Sequence, residues 1–508
     1  MANPEHAVPP EELREALEAA AARVADYLAG IAERPIFPAD PRAPDGPLVA
    51  EEGRPLSQLV GEVADWAEAH AVHVGHPGYA GHMDSGVEPA GIVADLLASA
   101  LNQNLLAFEL APGATLLEKR LLRWFADRAG FGPEAGGVFT TGGTGANLTA
   151  LLLARDRAEP DASRHGLRGS WAVLASADAH YSIAKSCAVL GLGSEACEPV
   201  AVRGPERRMD PEDLPRARDR ARARGREVLA VVATAGTTAV GAVDPIPACA
   251  DFCAAEGLWL HVDGAHGGAL LFHDEARARL LAGLERADSL GLDPHKWLWA
   301  PKSAGLLLVR EERRLKVADY EAPYLDRLLP HDEAVPLSQG RRALDGSRRF
   351  DALKVWMVLR RLGLRGLRER LEDRLRTARA LHAALEDHPV FEPRHRPDLN
   401  VVAFGPRDPA ADADVAAVHR ALEAEGEAWT SLTRLDGRPC HRMVLINPGM
   451  APERALEVVG RLAALHQQAA AARSQGGGGL LHSSPPRPLA SGWRSSPPPG
   501  SPAQSPPR

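Results

Sequence analysis

Four stretches of the chain carry residue types at spacings that can do chemistry. The first, GVFTTGGTGANLTALLLARD, sets Gly142, Gly143 and Gly145 in a turn after a strand-like run ending at Thr141 and before a helix opening at Asn147. Glycines there let backbone N–H groups close on an oxyanion, and the helix dipole favours negative charge at that end. The same glycines equally serve a tight strand-to-helix connection without a ligand. No GK[ST] follows, so this is not a Walker loop, and the GxGxxG register of dinucleotide folds is missing. In SADAHYSIAKSCAVLG, His180 stands past a strand end and before a helix, as a cap, a core hydrogen-bonder or a ring that meets a ligand. In LWLHVDGAHGG, His261 and Asp263 alternate onto one strand face. Asp263 then emerges near the strand's C-terminal end, where open α/β sheets bind ligands. His261, Asp263 and His266 are also acceptable metal-ligand types, and a capping aspartate is a third reading.

The fourth stretch is ADSLGLDPHKWLWAPK. Lysine is scarce, six residues among 59 basic ones, yet Lys296 sits in a turn beside Pro294, His295 and Trp297 and not on a solvated helix face. A lysine amine is a nucleophile only when deprotonated, and desolvation or a nearby cation brings that about. An exposed turn lysine is the plain alternative. Together the four supply an anion cradle, a ring neighbour, an aspartate for a pyridinium nitrogen and a Schiff-base lysine, the set that pyridoxal 5′-phosphate demands.

These residues need a scaffold. Short apolar runs (GVFTT, WAVLAS, VLAVVAT, LWLHVD, GLLLV) alternate with helical patterns. Such alternation predicts a largely parallel sheet covered on both faces, in an α/β domain over residues 87–345. Ahead of it, residues 1–86 read as an N-terminal helical segment: an amphipathic helix over 10–33, a proline-rich connector and a helix over 56–71. Helices over 89–101 and 115–129 follow. Residues 346–474 read as a smaller α+β domain, with long Arg/Leu/Glu-rich helices, strands LNVVAFG and RMVLI, and a helix over 413–425 between them. Residues 475–508, rich in Pro, Gly and Ser, are expected to be disordered.

Composition narrows the function. The 508 residues are 45% apolar and 25% charged, ordinary for a globular protein. A net charge of −8 without a basic, aromatic-interleaved stretch argues against nucleic acid. No apolar run reaches the ~20 residues that cross a bilayer, and the N-terminus lacks a secretory pattern, so no membrane is expected. Five cysteines without a CxxC pair fit reduced thiols and a cytoplasmic location.

The chain also resembles the pyridoxal-phosphate-dependent amino-acid decarboxylases, the group that includes the aromatic-amino-acid, glutamate, diaminobutyrate and tyrosine enzymes. The resemblance runs from Gly75 to Pro448 through GHPGYAGHMDSG, NQNLLAFELAP, GVFTTGGTGANL, AHYSIAKSCAVLG, ATAGTTAVGAVDPI, LWLHVDGAHGG, ADSLGLDPHKW, SRRFDALKVW and RMVLINP. The first two segments are more similar to the glutamate and diaminobutyrate side than to the aromatic side. The resemblance implies a fold-type I PLP-dependent transferase-like architecture, a homodimer and decarboxylation of an L-amino acid to its amine. It implies that Lys296 carries pyridoxal phosphate, Asp263 pairs with the ring nitrogen and His180 stacks on the ring. Gly143, Thr144 and Gly145 with His295 would then bind the phosphate, and Thr238 and Ala265 would flank the ring. Tyr324, with Tyr320 as its rival, matches a loop tyrosine that protonates Cα, a role that His180 could also take. Arg442 matches an arginine for a substrate carboxylate. Carbon–carbon lysis and aldehyde formation are the alternatives on the same cofactor. Outside the class stands metal-dependent hydrolysis through His261, Asp263 and His266, joined by His70, His73, His76 and His82.

Overall fold

The computed structural model describes residues 8–45, 48–49, 51–315 and 338–474. The larger sheet has seven strands: β1 (Gly136–Thr140), β2 (Trp171–Ser176), β3 (Cys197–Val200), β4 (Glu227–Thr234), β5 (Trp259–Asp263), β6 (Ser289–Leu292) and β7 (Gly305–Val309). They lie in the order β1-β7-β6-β5-β4-β2-β3. β2 pairs in parallel with β3 and β4, β4 with β5, and β5 with β6. Only β7 is inverted, antiparallel to both β1 and β6.

Side-chain alternation explains the layers. Along β4, Val231 and Ala233 join one core, while Ala230 and Val232 join the other. The helix Pro112–Ala129 closes the first core with Leu121, Leu122 and Phe125. The helix Gly143–Ala158 closes the second with Ala146, Ala150 and Leu153. A sheet covered on both faces selects unbroken apolar strands, which is why the sequence showed runs and not alternation. On β5 the same rule sends Leu260 and Val262 to the first core and Trp259 to the second. His261 and Asp263, two and four residues after Trp259, therefore face the helix Gly143–Ala158.

Two details differ from the sequence reading. The strands β3 and β6, CEPV and SLGL, are four residues each and carry a proline or a glycine, too little pattern to register. The turn after β1 is also tighter than expected, because β1 ends at Thr140 and the helix opens at Gly143 and not Asn147. Gly142 makes the turn alone at φ 153°, ψ −177°, a region essentially reserved for glycine.

The C-terminal region builds an antiparallel sheet from β8 (Phe391–Pro393), β9 (Val401–Pro406), β10 (Ser431–Leu435) and β11 (Arg438–Val444), in the order β8-β9-β11-β10. The helices Ala352–Glu386, Val415–Glu425 and Pro452–Ser474 cover it around Leu381, Phe404, Val418, Met443 and Leu462. The amino-terminal segment is tied to this sheet. Ala80 N–H donates to Trp429 O (2.8 Å), Trp429 N–H to Gly78 O (3.0 Å) and Val444 N–H to Ala80 O (2.9 Å). Among the described residues, no helix is long and apolar enough to cross a membrane.

Candidate active site

The chain leaves β1, β2, β4, β5 and β6 at one end of the larger sheet, and the residues just past those strands surround a cavity of about 310 Å³. That end is where α/β sheets bind ligands. Gly143, Thr144, Gly145 and His295 line one part of it; His180, Thr238, Asp263, Ala265 and Lys296 line the rest. Nine residues chosen from sequence thus meet in one place, although they span more than 150 positions.

The glycine turn is shaped by close approach. A Cβ on Gly143 would stand 2.9 Å from the Ala265 Cβ, and one on Gly305 would stand 2.5 Å from the Gly142 Cα. The first helical bond runs from Ala146 N–H to Gly142 O (3.1 Å), so the N–H groups of Gly143, Thr144 and Gly145 have no acceptor within the helix. They form an anion-binding end.

Asp263 ends β5 and is buried. Its Oδ1 accepts from Ala265 N–H (3.1 Å) and its Oδ2 from the Asn147 side-chain amide (2.9 Å). Lys296 sits in the turn after β6, with Trp297, Leu298 and Trp299 buried beneath it. Its Nζ lies 3.3 Å from Asp293 Oδ2. His180 Nδ1 is 2.8 Å from Ser182 Oγ. Burial holds the His180 and His295 imidazoles below their ordinary range, against the opposing pull of nearby aspartates. Burial pushes His266, which also lines the cavity, down to about 3.

Arg442, on β11, is not part of this lining. It is buried behind it, donating from Nη1 to Gly81 O (3.1 Å) and Ser431 Oγ (2.8 Å), while its Nε has no partner. Burial lowers the guanidinium to about 10. Tyr324 and Tyr320 lie outside the described residues.

Three site residues escaped the sequence reading. Asp293 contacts Lys296 from three positions earlier, a spacing that a turn makes meaningful. Asn147 and Ser182 bond to Asp263 and His180 respectively, and only the fold brings Asn147 to a residue 116 positions away. The HxDxxH metal set is not assembled. His261 bonds to Ser289 and Asn147, and His266 bonds to Asn400 (2.6 Å). His73 bonds to Tyr27, and His76 to Ala32 and Gly78. Among the described residues, no group of three or more His, Cys, Asp or Glu is placed to hold a metal ion.

The donor set suits pyridoxal 5′-phosphate. Helix N–H groups meet a phosphate, a buried carboxylate meets a protonated ring nitrogen, a lysine meets an aldehyde, and the cavity has room for a flat ring. The pyridoxal-dependent decarboxylase conserved domain matches residues 38–406. The chain is 37% identical to the L-2,4-diaminobutyrate decarboxylase of Rhizobium meliloti, over 81% of this chain and 83% of that one. It is 35% identical to the cysteine sulfinic acid decarboxylase of Homo sapiens, over 66% and 68%. The crystal structure of mouse CSAD superimposes with a TM-score of 0.82 at 28% identity, covering 90% of this chain and 100% of that one. With site chemistry, domain match and fold in agreement, the chain belongs to the pyridoxal-dependent decarboxylase family and is a pyridoxal 5′-phosphate-dependent amino-acid carboxy-lyase.

Proposed function

We propose that Lys296 is the lysine that carries the cofactor, and that the substrate is a short polar L-amino acid of the 2,4-diaminobutyrate kind. One observation carries the site assignment: Lys296, Asp263 and the open helix end at Gly143–Gly145 line a single cavity. Two features support the substrate class. The relative in Rhizobium meliloti is named for 2,4-diaminobutyrate, and among the described residues no Phe, Tyr or Trp lines the cavity.

When bound, pyridoxal phosphate draws the electrons of the Cα–carboxylate bond into its ring. The protein's own residues do the rest. Asp263 holds the proton on the ring nitrogen. Gly143, Thr144 and Gly145 N–H groups, with His295, hold the phosphate. His180 would cover one ring face, and Thr238 and Ala265 would border the ring, since all three line the cavity. Arg442 supplies a buried cation for a substrate carboxylate. Tyr324, or Tyr320, protonates Cα after carbon dioxide leaves, with His180 as the other donor. Lys296 would hold the cofactor covalently, its amine taking the place that the product amine vacates.

The test is a visible spectrum of the purified protein before and after borohydride, with peptide mapping, then a carbon dioxide release assay across a panel of L-amino acids. A violet-region band trapped on Lys296 and fastest release from 2,4-diaminobutyrate are expected. A reduced adduct on another lysine would overturn the site assignment, and fastest release from an aromatic amino acid would overturn the substrate class.

The working form we propose is a cytoplasmic homodimer. All five cysteines are free, as in a reducing compartment. The helix Pro89–Leu101 exposes Val93, Leu96, Leu97 and Leu101 on one stripe, an apolar face suited to a second copy. Light scattering should give twice the chain mass, and Leu97→Glu should shift it toward one.

A further inference from the structure

Behind Asp263 lies a line of polar side chains, all buried, that the catalytic roles above do not use. Trp259 Nε1–H donates to Ser289 Oγ (2.9 Å). Ser289 Oγ meets His261 Nδ1 (2.9 Å), His261 Nε2 meets Asn147 Oδ1 (2.8 Å), and Asn147 Nδ2 meets both Asp263 Oδ2 (2.9 Å) and Ser182 Oγ (2.9 Å). Ser182 Oγ in turn meets His180 Nδ1 (2.8 Å). The line exists because Trp259, His261 and Asp263 occupy alternate positions of β5, facing the helix that carries Asn147.

The direction of every bond follows from its ends. An indole N–H can only donate, so Ser289 Oγ accepts from Trp259, and the far end decides the rest. Asn147 must turn its amide hydrogens to the Asp263 carboxylate, its Oδ1 can only accept from His261 Nε2, and Nδ1 of the neutral ring accepts the Ser289 hydroxyl proton. His261 then carries its proton on Nε2 and gives it to Asn147 Oδ1. Turned over, the amide would set an oxygen against the Asp263 carboxylate. Both amide hydrogens therefore point away from His261, one at Asp263 and one at Ser182. The Ser182 backbone N–H also donates to His180 Nδ1 (3.3 Å), so that nitrogen is an acceptor, Ser182 Oγ donates to it as well, and His180 keeps its own proton on Nε2.

We infer that Asn147 is a positioning residue that fixes two groups at once, holding Asp263 as an acceptor and His180 as an Nε2–H donor, with Trp259, Ser289 and His261 setting its orientation. This rests on the reading of Asp263 and His180 as cofactor neighbours, but the hydrogen-bond order itself exists without the cofactor. A neutral His261 is consistent with this order, since burial pushes it down to about 4.

The test starts from the cofactor-free protein with 15N-labelled imidazoles. At neutral pH, His261 and His180 are both expected as Nε2–H tautomers; an Nδ1–H signal from either overturns the relay. Asn147→Asp keeps the size but replaces two donors by acceptors. Ser182 Oγ then donates to the new carboxyl group, His180 Nδ1 keeps only the bond from the Ser182 backbone N–H, and its 15N signal is expected to shift. An unchanged His180 signal in folded Asn147→Asp rejects the hub. In the loaded enzyme, His261→Leu should lower kcat by about 10- to 100-fold with KM within about threefold, as loss of an outer-shell partner does. His261→Gln, which offers both a donor and an acceptor, should recover it to within about threefold. Equal losses in both variants reduce His261 to a packing residue and overturn its part. Borohydride trapping on Lys296 is read separately, so failure of the cofactor assignment is not confused with failure of the relay.

Discussion

On the large-sheet side of the cleft, Asp263 receives two hydrogen bonds, and the polar atoms behind it are paired back to Trp259. On the small-sheet side Arg442 is as deeply buried, yet its Nε has no partner, and among the described residues no carboxylate pairs with it. A buried polar group left unmatched costs about 1–3 kcal/mol, more when it is charged. The contrast separates two kinds of binding. In the roles proposed above, the Asp263 wall suits a resident group that stays through turnover, its carboxylate paired although Thr234 Oγ1 and Asp293 Oδ1 beside it are not. The Arg442 wall keeps donor capacity for an anion that comes and goes.

The largest expected effect lies on the first wall. Lys296→Ala should reduce turnover by about 10⁴-fold or more and remove the borohydride-trapped adduct, as expected for loss of a covalent catalytic group. Retained multiple turnover would break the comparison at its base. Asp263→Asn keeps the shape but not the charge, and should lower kcat by about 10²–10⁴-fold with a smaller change in KM, the pattern of a lost charge partner. Steady-state kinetics on the loaded variant measures both.

The second wall should respond differently. Arg442→Met should raise KM by about 10- to 100-fold with kcat within about fivefold, and leave the melting temperature unchanged or higher, because an unpaired buried charge is removed. A drop in kcat at constant KM would place Arg442 with the first wall. The smallest effect is shared. Burial sets His261 and His466 at about 4 and His266 and His395 at about 3, below the ordinary imidazole value. The unfolded chain then binds more protons between about pH 6.5 and 4, so stability is present above that window and lost as pH falls through it. Asp244, raised to about 7 by burial, and Glu118, raised by the same cause, pull the other way, two carboxyls against four imidazoles. Melting curves should fall by several degrees from pH 7 to 4.5; a flat profile would show that the buried histidines of both regions titrate normally.

Much of the first wall was legible in the sequence, because its chemistry needs particular residue types at strand ends. Lys296 in its turn, Asp263 after an apolar strand and the glycines after β1 announce themselves. The larger sheet was legible for the same reason, apart from its two shortest strands. Asn147, Ser182 and Ser289 were not, since an amide and two hydroxyls acquire meaning only from what faces them. His261 was noticed, but as a metal ligand, because spacing cannot show that both of its nitrogens are already committed. In the C-terminal sheet, β10 (SLTRL) alternates burial against charge, and β8 is only three residues long. Neither gave an apolar run to read.

The bonds that tie Gly78, Ala80 and Gly81 to the C-terminal region bear on how the chain is made. Gly81 O accepts from Ser431 Oγ, 350 positions later. At roughly 5–20 residues per second a ribosome needs about 20–70 s to cover that distance. The amino-terminal segment therefore waits, its backbone groups unmet, while the seven-stranded sheet is completed behind it. Closure of this segment waits until residues 429–444 have been made, and until then the nascent chain offers Gly78–Gly81 to chaperones and proteases.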